Sequence, residues 1–142
     1  MTGHSLPDDA MMAGPEAIAR FIATGEDAAL AGVFAGRDVT IIENFAPHVF
    51  AGSDAVAEWT KAMHAHLEGL AGLSHRFGPA CDFSRSGDLA FFSLPTEWRG
   101  LARGRPFREN GGWAFVLVNA DGQWRVRNYA WAVTEISHDQ PS

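Results

Sequence analysis

The chain has 142 residues, a net charge of −6, 46% hydrophobic and 20% charged residues, and a single cysteine, Cys81. That length is one ordinary domain, large enough to bury a core without staples. The composition excludes a disordered chain, the lone cysteine excludes an internal disulfide, and no basic cluster exists to hold nucleic acid or an anionic membrane. No apolar run is long enough to span a bilayer, and the first residues lack the basic start and apolar core of a secretory signal. The expectation is a cytoplasmic protein with loose tails at 1–13 and 138–142 flanking one domain over 14–137.

The first predicted helix begins near Pro15, a residue suited to a first helical turn. In "PEAIARFIATG", Ile18, Phe21 and Ile22 fall on one face, and Gly25 closes the helix. "EDAALAGVFAG" predicts a second short helix, with Leu30, Val33 and Phe34 at the same spacing. Val39 to Phe45 is β-branched and predicts a strand that ends in Glu43-Asn44. A loop with Pro47 and His48 follows, and Ser53-Asp54 opens a third helix running to about Leu70. Its apolar stripe is Val56, Trp59, Met63, Leu67 and Leu70.

The second half is strand-like: one strand interrupted at Gly78-Pro79, one containing Pro95, and a long pair joined at Asp121-Gly122. Pro95 implies a bulge or an edge, and Asp-Gly is a strong hairpin signal. Helices followed by antiparallel strands give an α+β fold. "WAFVLV", 113–118, is apolar on both faces, which predicts a homodimer through the sheet.

The order of elements, "GVFAGRDVTIIEN" and the hairpin "DGQWRVRNYAW" resemble the nuclear-transport-factor-2-like superfamily, and more closely its SnoaL-like and ketosteroid-isomerase-like branch. The resemblance spans Pro15 to Ile136. It implies a cone-shaped, curved antiparallel sheet packed against three helices. It also implies a pocket for a small apolar or carbonyl-bearing molecule, and it places Glu43 where the isomerases carry their general base. The isomerases' two oxyanion donors align with Phe21 and about Ala114, which have no donor group. Oxyanion donors are commonly the largest single contribution to catalysis, so authentic steroid isomerisation is not expected. The histidines of the "VHxHW" ending common in SnoaL-like domains are replaced by Asn128 and Ala130.

The candidate catalytic residues are thus Glu43, with His48, Arg108 and Asn110 as stabilisers of negative charge. Arg108, Asn110, Gly112 and Ala114 share one strand face by alternation. Candidate ligand-lining residues are Phe21, Phe45, Trp59, Ala114, Asn128, Tyr129 and Trp131. Which face of the last strand points inward stays open, because a bulge would flip it. His64 and Glu68 stand at metal-ligand spacing without a third ligand, so neither metal nor cofactor is expected. The alternative function is a non-catalytic ligand-binding or dimerisation module.

Overall fold

The computed structural model describes residues 6–138; the expected tail segments 1–5 and 139–142 lie outside them. Helix α1 spans Asp9–Thr24, so it starts earlier than Pro15 suggested and takes up residues 9–13. The reason is a local cap: the Asp8 carboxylate accepts from the Met11 backbone N–H at 2.9 Å. Pro15 therefore sits inside the helix, fully buried. Gly25, at φ 73°, ends it, and its N–H donates to the Phe21 carbonyl.

The second expected helix is only a 3-10 turn, Asp27–Leu30. The chain then extends so that Phe34 bridges Val126 of the last strand. Glycines at 32 and 36, both at positive φ, leave too few helical residues there. Helix α2 runs Ala55–Leu67 and buries Ala55, Trp59 and Met63.

Seven strands form one curved, unclosed mixed sheet. They are β1 Val39–Ile42, β2 Val49–Gly52, β3 Leu70–Phe77, β4 Cys81–Ser86, β5 Leu89–Ala102, β6 Arg105–Ala120 and β7 Gln123–His138. Strand β2 was expected to be loop. The order is β2-β1-β7-β6-β5-β3, with β4 also on β5. Only β1 and β7 run parallel; every other pairing is antiparallel. Pro95 lies where β5 changes partner, between Cys81↔Ser93 of β4 and Phe77↔Thr96 of β3. A residue without an N–H costs no ladder bond at such a gap. Asp121 and Gly122, at φ 54° and 80°, make the two-residue β6–β7 turn.

The helices cover the concave face. Inward positions are even on β5 (Ala90, Phe92, Leu94, Thr96, Trp98) and odd on β6 (Gly111, Trp113, Phe115, Leu117), all buried. On β7 the register shifts twice, at Arg127 and at Thr134. Each bulge flips the parity, so Val126, then Tyr129 and Trp131, then Ile136 and His138 face the same side. The Thr134 hydroxyl donates to the Asn110 carbonyl at 3.1 Å across the second bulge.

Candidate functional site

Strand β1 ends at Ile42, and the next residue, Glu43, turns into the concavity with 5% of its surface exposed. A short turn holds it there. The Glu43 N–H donates to the His48 carbonyl at 2.9 Å, and His48 Nδ1–H donates to the Glu43 carbonyl at 3.1 Å. Glu43 Oε2 accepts from Trp59 Nε1 of α2 at 2.9 Å and from the Tyr129 hydroxyl of β7. Its other oxygen, Oε1, accepts no hydrogen bond among the described residues. No cationic side chain among the described residues pairs with it.

Burial pushes the Glu43 carboxyl up to about 7. The two hydrogen bonds oppose the rise, and the nearby Glu109 charge adds to it. Tyr129 is raised well above the ordinary tyrosine value by burial and by Glu43, so it remains the proton-bearing partner of the pair. Trp59 is itself fixed by ring contacts with Phe21 (5.3 Å), Phe34 (5.6 Å) and Tyr129 (5.9 Å). The glutamate is thus clamped through one oxygen from two separate elements.

Above it opens a cavity of about 210 Å³. An apolar cavity of about 150 Å³ holds benzene, so a substituted ring fits. Its walls are mostly Trp98, Phe107, Trp113, Tyr129 and Trp131, with Leu67, Leu70 and Leu73. Polar groups are few: Glu43, Asn44, His66, Glu109 and His138, and neither Lys nor Arg lines it. His66 stacks on Phe45 at 4.3 Å, and burial lowers its pKa, which favours the neutral imidazole. Glu109 is half-buried between its cross-strand neighbours Trp98 and Ile136, and this burial raises its pKa.

Of the residues expected from sequence, Glu43, Phe45, Tyr129 and Trp131 line this cavity. Trp59 touches it through the Glu43 carboxylate, and Phe21 lies behind Trp59. The others need correction. His48 is exposed and bonds the Glu43 backbone, not its carboxylate. Arg108, Asn110 and Ala114 are not among the lining residues, because the inward face of β6 is the odd one, and Asn128 is not, because β7 turns Tyr129 and Trp131 inward after its first bulge. His64 is occupied by Asp27, at 2.6 Å. Trp98, Phe107 and Trp113 had not been singled out as wall residues. The signal for β6 was present: its large apolar residues, Phe107, Trp113, Phe115 and Leu117, all stand at odd positions, and polar or smaller ones stand between.

Similar solved structures decide the family of folds. A hexachlorocyclohexane dehydrochlorinase, LinA type 2, superposes with a TM-score of 0.78 at 10% identity, over 92% of this chain and 87% of that one. A candidate scytalone dehydratase from Novosphingobium aromaticivorans DSM 12444 gives 0.69 at 18%, over 93% and 89%. A nuclear transport factor 2-like superfamily protein from Salmonella enterica serovar Typhimurium LT2 gives 0.69 at 13%, over 86% and 87%. The chain has the nuclear-transport-factor-2-like fold. No family model matches the sequence, and no curated protein does. At such identities the shared property of this nuclear-transport-factor-2-like chain is the fold, and its chemistry must be argued from the cavity. No helix among the described residues is long and apolar enough to cross a membrane.

Proposed function

We propose that the protein is a cofactor-independent enzyme in which Glu43 removes a proton from carbon next to the carbonyl of a small, largely apolar molecule. The observation that carries this reading is an unpaired, desolvated carboxyl with a pKa of about 7 at the floor of an aromatic cavity. A general base works best with a pKa near the operating pH. Trp59 and Tyr129 hold Oε2, and Oε1 is free to take the proton. The absence of Lys and Arg from the walls suits an uncharged substrate over a carboxylate or phosphate ester. Two neighbours bear names of eliminating enzymes, a dehydrochlorinase and a candidate dehydratase. Net loss of HCl or of water includes removal of a proton, which is in keeping with a base at the floor of the cavity.

The test is exchange of α-protons of 2-tetralone in deuterated buffer, followed by proton NMR. Wild-type protein should accelerate exchange, and Glu43→Gln should remove the acceleration while leaving ketone binding within a few-fold. Acceleration unchanged in Glu43→Gln would rule out Glu43 as the base, and ketone binding without acceleration by wild type would leave a ligand-binding module as the reading.

We further propose that a second copy covers the convex face of the sheet. There Phe91, Val116, Val118 and Ala130 are only partly covered within one chain. Sedimentation should show a dimer at micromolar concentration, and Val116→Lys should shift it to monomer.

A further inference from the structure

The proton transfer proposed for Glu43 leaves a second carboxyl in the cavity without a task. Glu109 faces the cavity from β6, is half-buried, and makes no hydrogen bond or ion pair among the described residues. Burial raises its pKa, and its charge is near enough to raise that of Glu43 as well. Two carboxyls thus share one cavity whose walls hold neither Lys nor Arg. Burying a carboxylate without a partner is costly, and a positive charge brought in through the cavity would remove that cost.

The sheet surrounds Glu109 with rings. Trp98 of β5 stands directly opposite it in the ladder, where the Cβ atoms of facing residues are about 5 Å apart. Phe107 is two residues before it on β6, hence on the same face. Two residues after it is Gly111, whose missing side chain leaves its space to Trp131: a Cβ there would stand 2.6 Å from Trp131 Cη2 and Cζ2. Trp131 therefore reaches back along β6 toward Glu109. All three rings line the cavity, and Ile136, across the β6–β7 ladder, closes the fourth side.

A carboxylate set among aromatic faces is suited to an organic cation. Ring faces attract ammonium groups that come within about 6 Å of their centres. A metal ion takes several oxygen or nitrogen ligands, and no group of three or more His, Cys, Asp or Glu suited to one exists among the described residues. Burial lowers the pKa of His66 on the cavity wall, so it adds no competing charge at neutral pH, and His138 stands exposed at the rim. The net charge of −6 draws cations toward the molecule.

We infer that the ligand of this cavity carries an ammonium group, held between the Glu109 carboxylate and the faces of Trp98, Phe107 and Trp131, with its apolar body extending toward Glu43. The inference rests on the proposed function for the cavity and names the charge its substrate bears. Holding the cation requires no chemistry at Glu43.

Phenyltrimethylammonium has no carbonyl and no exchangeable proton, so it reports the cation site alone, and tert-butylbenzene is its neutral isostere. Tryptophan fluorescence follows both ligands, since Trp98 and Trp131 wall the cavity. The cation should bind saturably, compete with tert-butylbenzene, and bind more weakly as salt rises. Glu109→Gln should weaken the cation about tenfold and leave tert-butylbenzene unchanged. Phe107→Leu keeps an apolar rim but removes one ring face, and should weaken the cation about threefold more than the isostere. Both positions are partly exposed, and the affinity for tert-butylbenzene reports that the cavity survives each substitution. No saturable cation binding, an affinity unchanged in Glu109→Gln, or equal losses for cation and isostere would each overturn the inference. Glu43-dependent exchange of 2-tetralone with no cation binding would leave the proposed function standing without this site. Cation binding through Glu109 without exchange would uphold the site and defeat the proposed function.

Discussion

The concave face of the sheet has two ends built from the same strands, and they are opposites. At one end Phe92, Phe115, Leu117 and Val126 have 0 or 1% of their surface exposed, and α1 presses onto them. There Gly14 lies so close that a Cβ would be 2.8 Å from Val126 Cγ2. At the other end β6 presents Phe107, Glu109 and Trp113, β7 presents Tyr129 and Trp131, and the space between them is open. The filled end holds no buried carboxyl among the described residues. The open end holds Glu43 and Glu109 without a counter-charge, and the unpaired Trp113 N–H. One end stabilises the fold, and the other carries groups that cost stability, which is the expected signature of a site kept for chemistry.

The largest effect should come from the filled end. Phe115→Ala should cost about 4 kcal/mol, because the surrounding Phe92, Trp113 and Tyr129 rings leave a cavity that cannot collapse. Phe107→Ala, on the open rim, should cost about 1 kcal/mol. Urea unfolding of both variants measures the contrast, and equal losses would erase the distinction between the two ends.

Next in size is the pH dependence set by Glu43. Its folded pKa of about 7 exceeds the ordinary 4.5, so the folded state binds its proton more tightly. The stabilisation is complete below pH 4.5 and is lost as pH rises through about 7. The difference corresponds to about 3 kcal/mol. Stability measured from pH 5 to 8 should decline by a large part of that amount in wild type, and the decline should flatten in Glu43→Gln.

Gly111→Ala should be of intermediate size, about 2 kcal/mol, because the new methyl meets the Ala132 carbonyl oxygen of β7 and the Trp131 ring, and both must shift. Fluorescence and ketone affinity should change with it, since Trp131 walls the cavity. Glu109→Gln should do least. Removing its charge takes away the smallest of the influences raising Glu43, so the Glu43 pKa should fall below about 7 without reaching 4.5.

Much of the architecture was legible in the chain because its signals are local. Asp121-Gly122 announces the turn it makes, and Gly78-Pro79 marks the break between β3 and β4. Glu43 stood out locally as the polar residue ending a β-branched run, but its inward aim was expected only from the resemblance. The misplaced residues depended on non-local facts. Which face of β6 turns inward is set by packing against the helices, and on β7 the Arg127 and Thr134 bulges reverse the count twice. The inner positions of β6 are Phe107, Glu109 and Trp113, where Arg108, Asn110 and Ala114 were expected. His48 was misjudged because a loop histidine at φ 72° is held by backbone geometry that spacing does not reveal. The start of α1 was hidden by Gly14-Pro15, which suggests a helix boundary, although the Asp8 cap lies upstream.

The central claim is that Glu43 is a desolvated base, and its titration tests this most directly. Carboxyl-carbon NMR of wild type, with Glu43→Gln as assignment control, should show a Glu43 midpoint near 7 that falls toward the ordinary 4.5 only when the protein unfolds. A midpoint close to 4.5 in the folded protein would mean a solvated or ion-paired carboxylate, and would contradict the account.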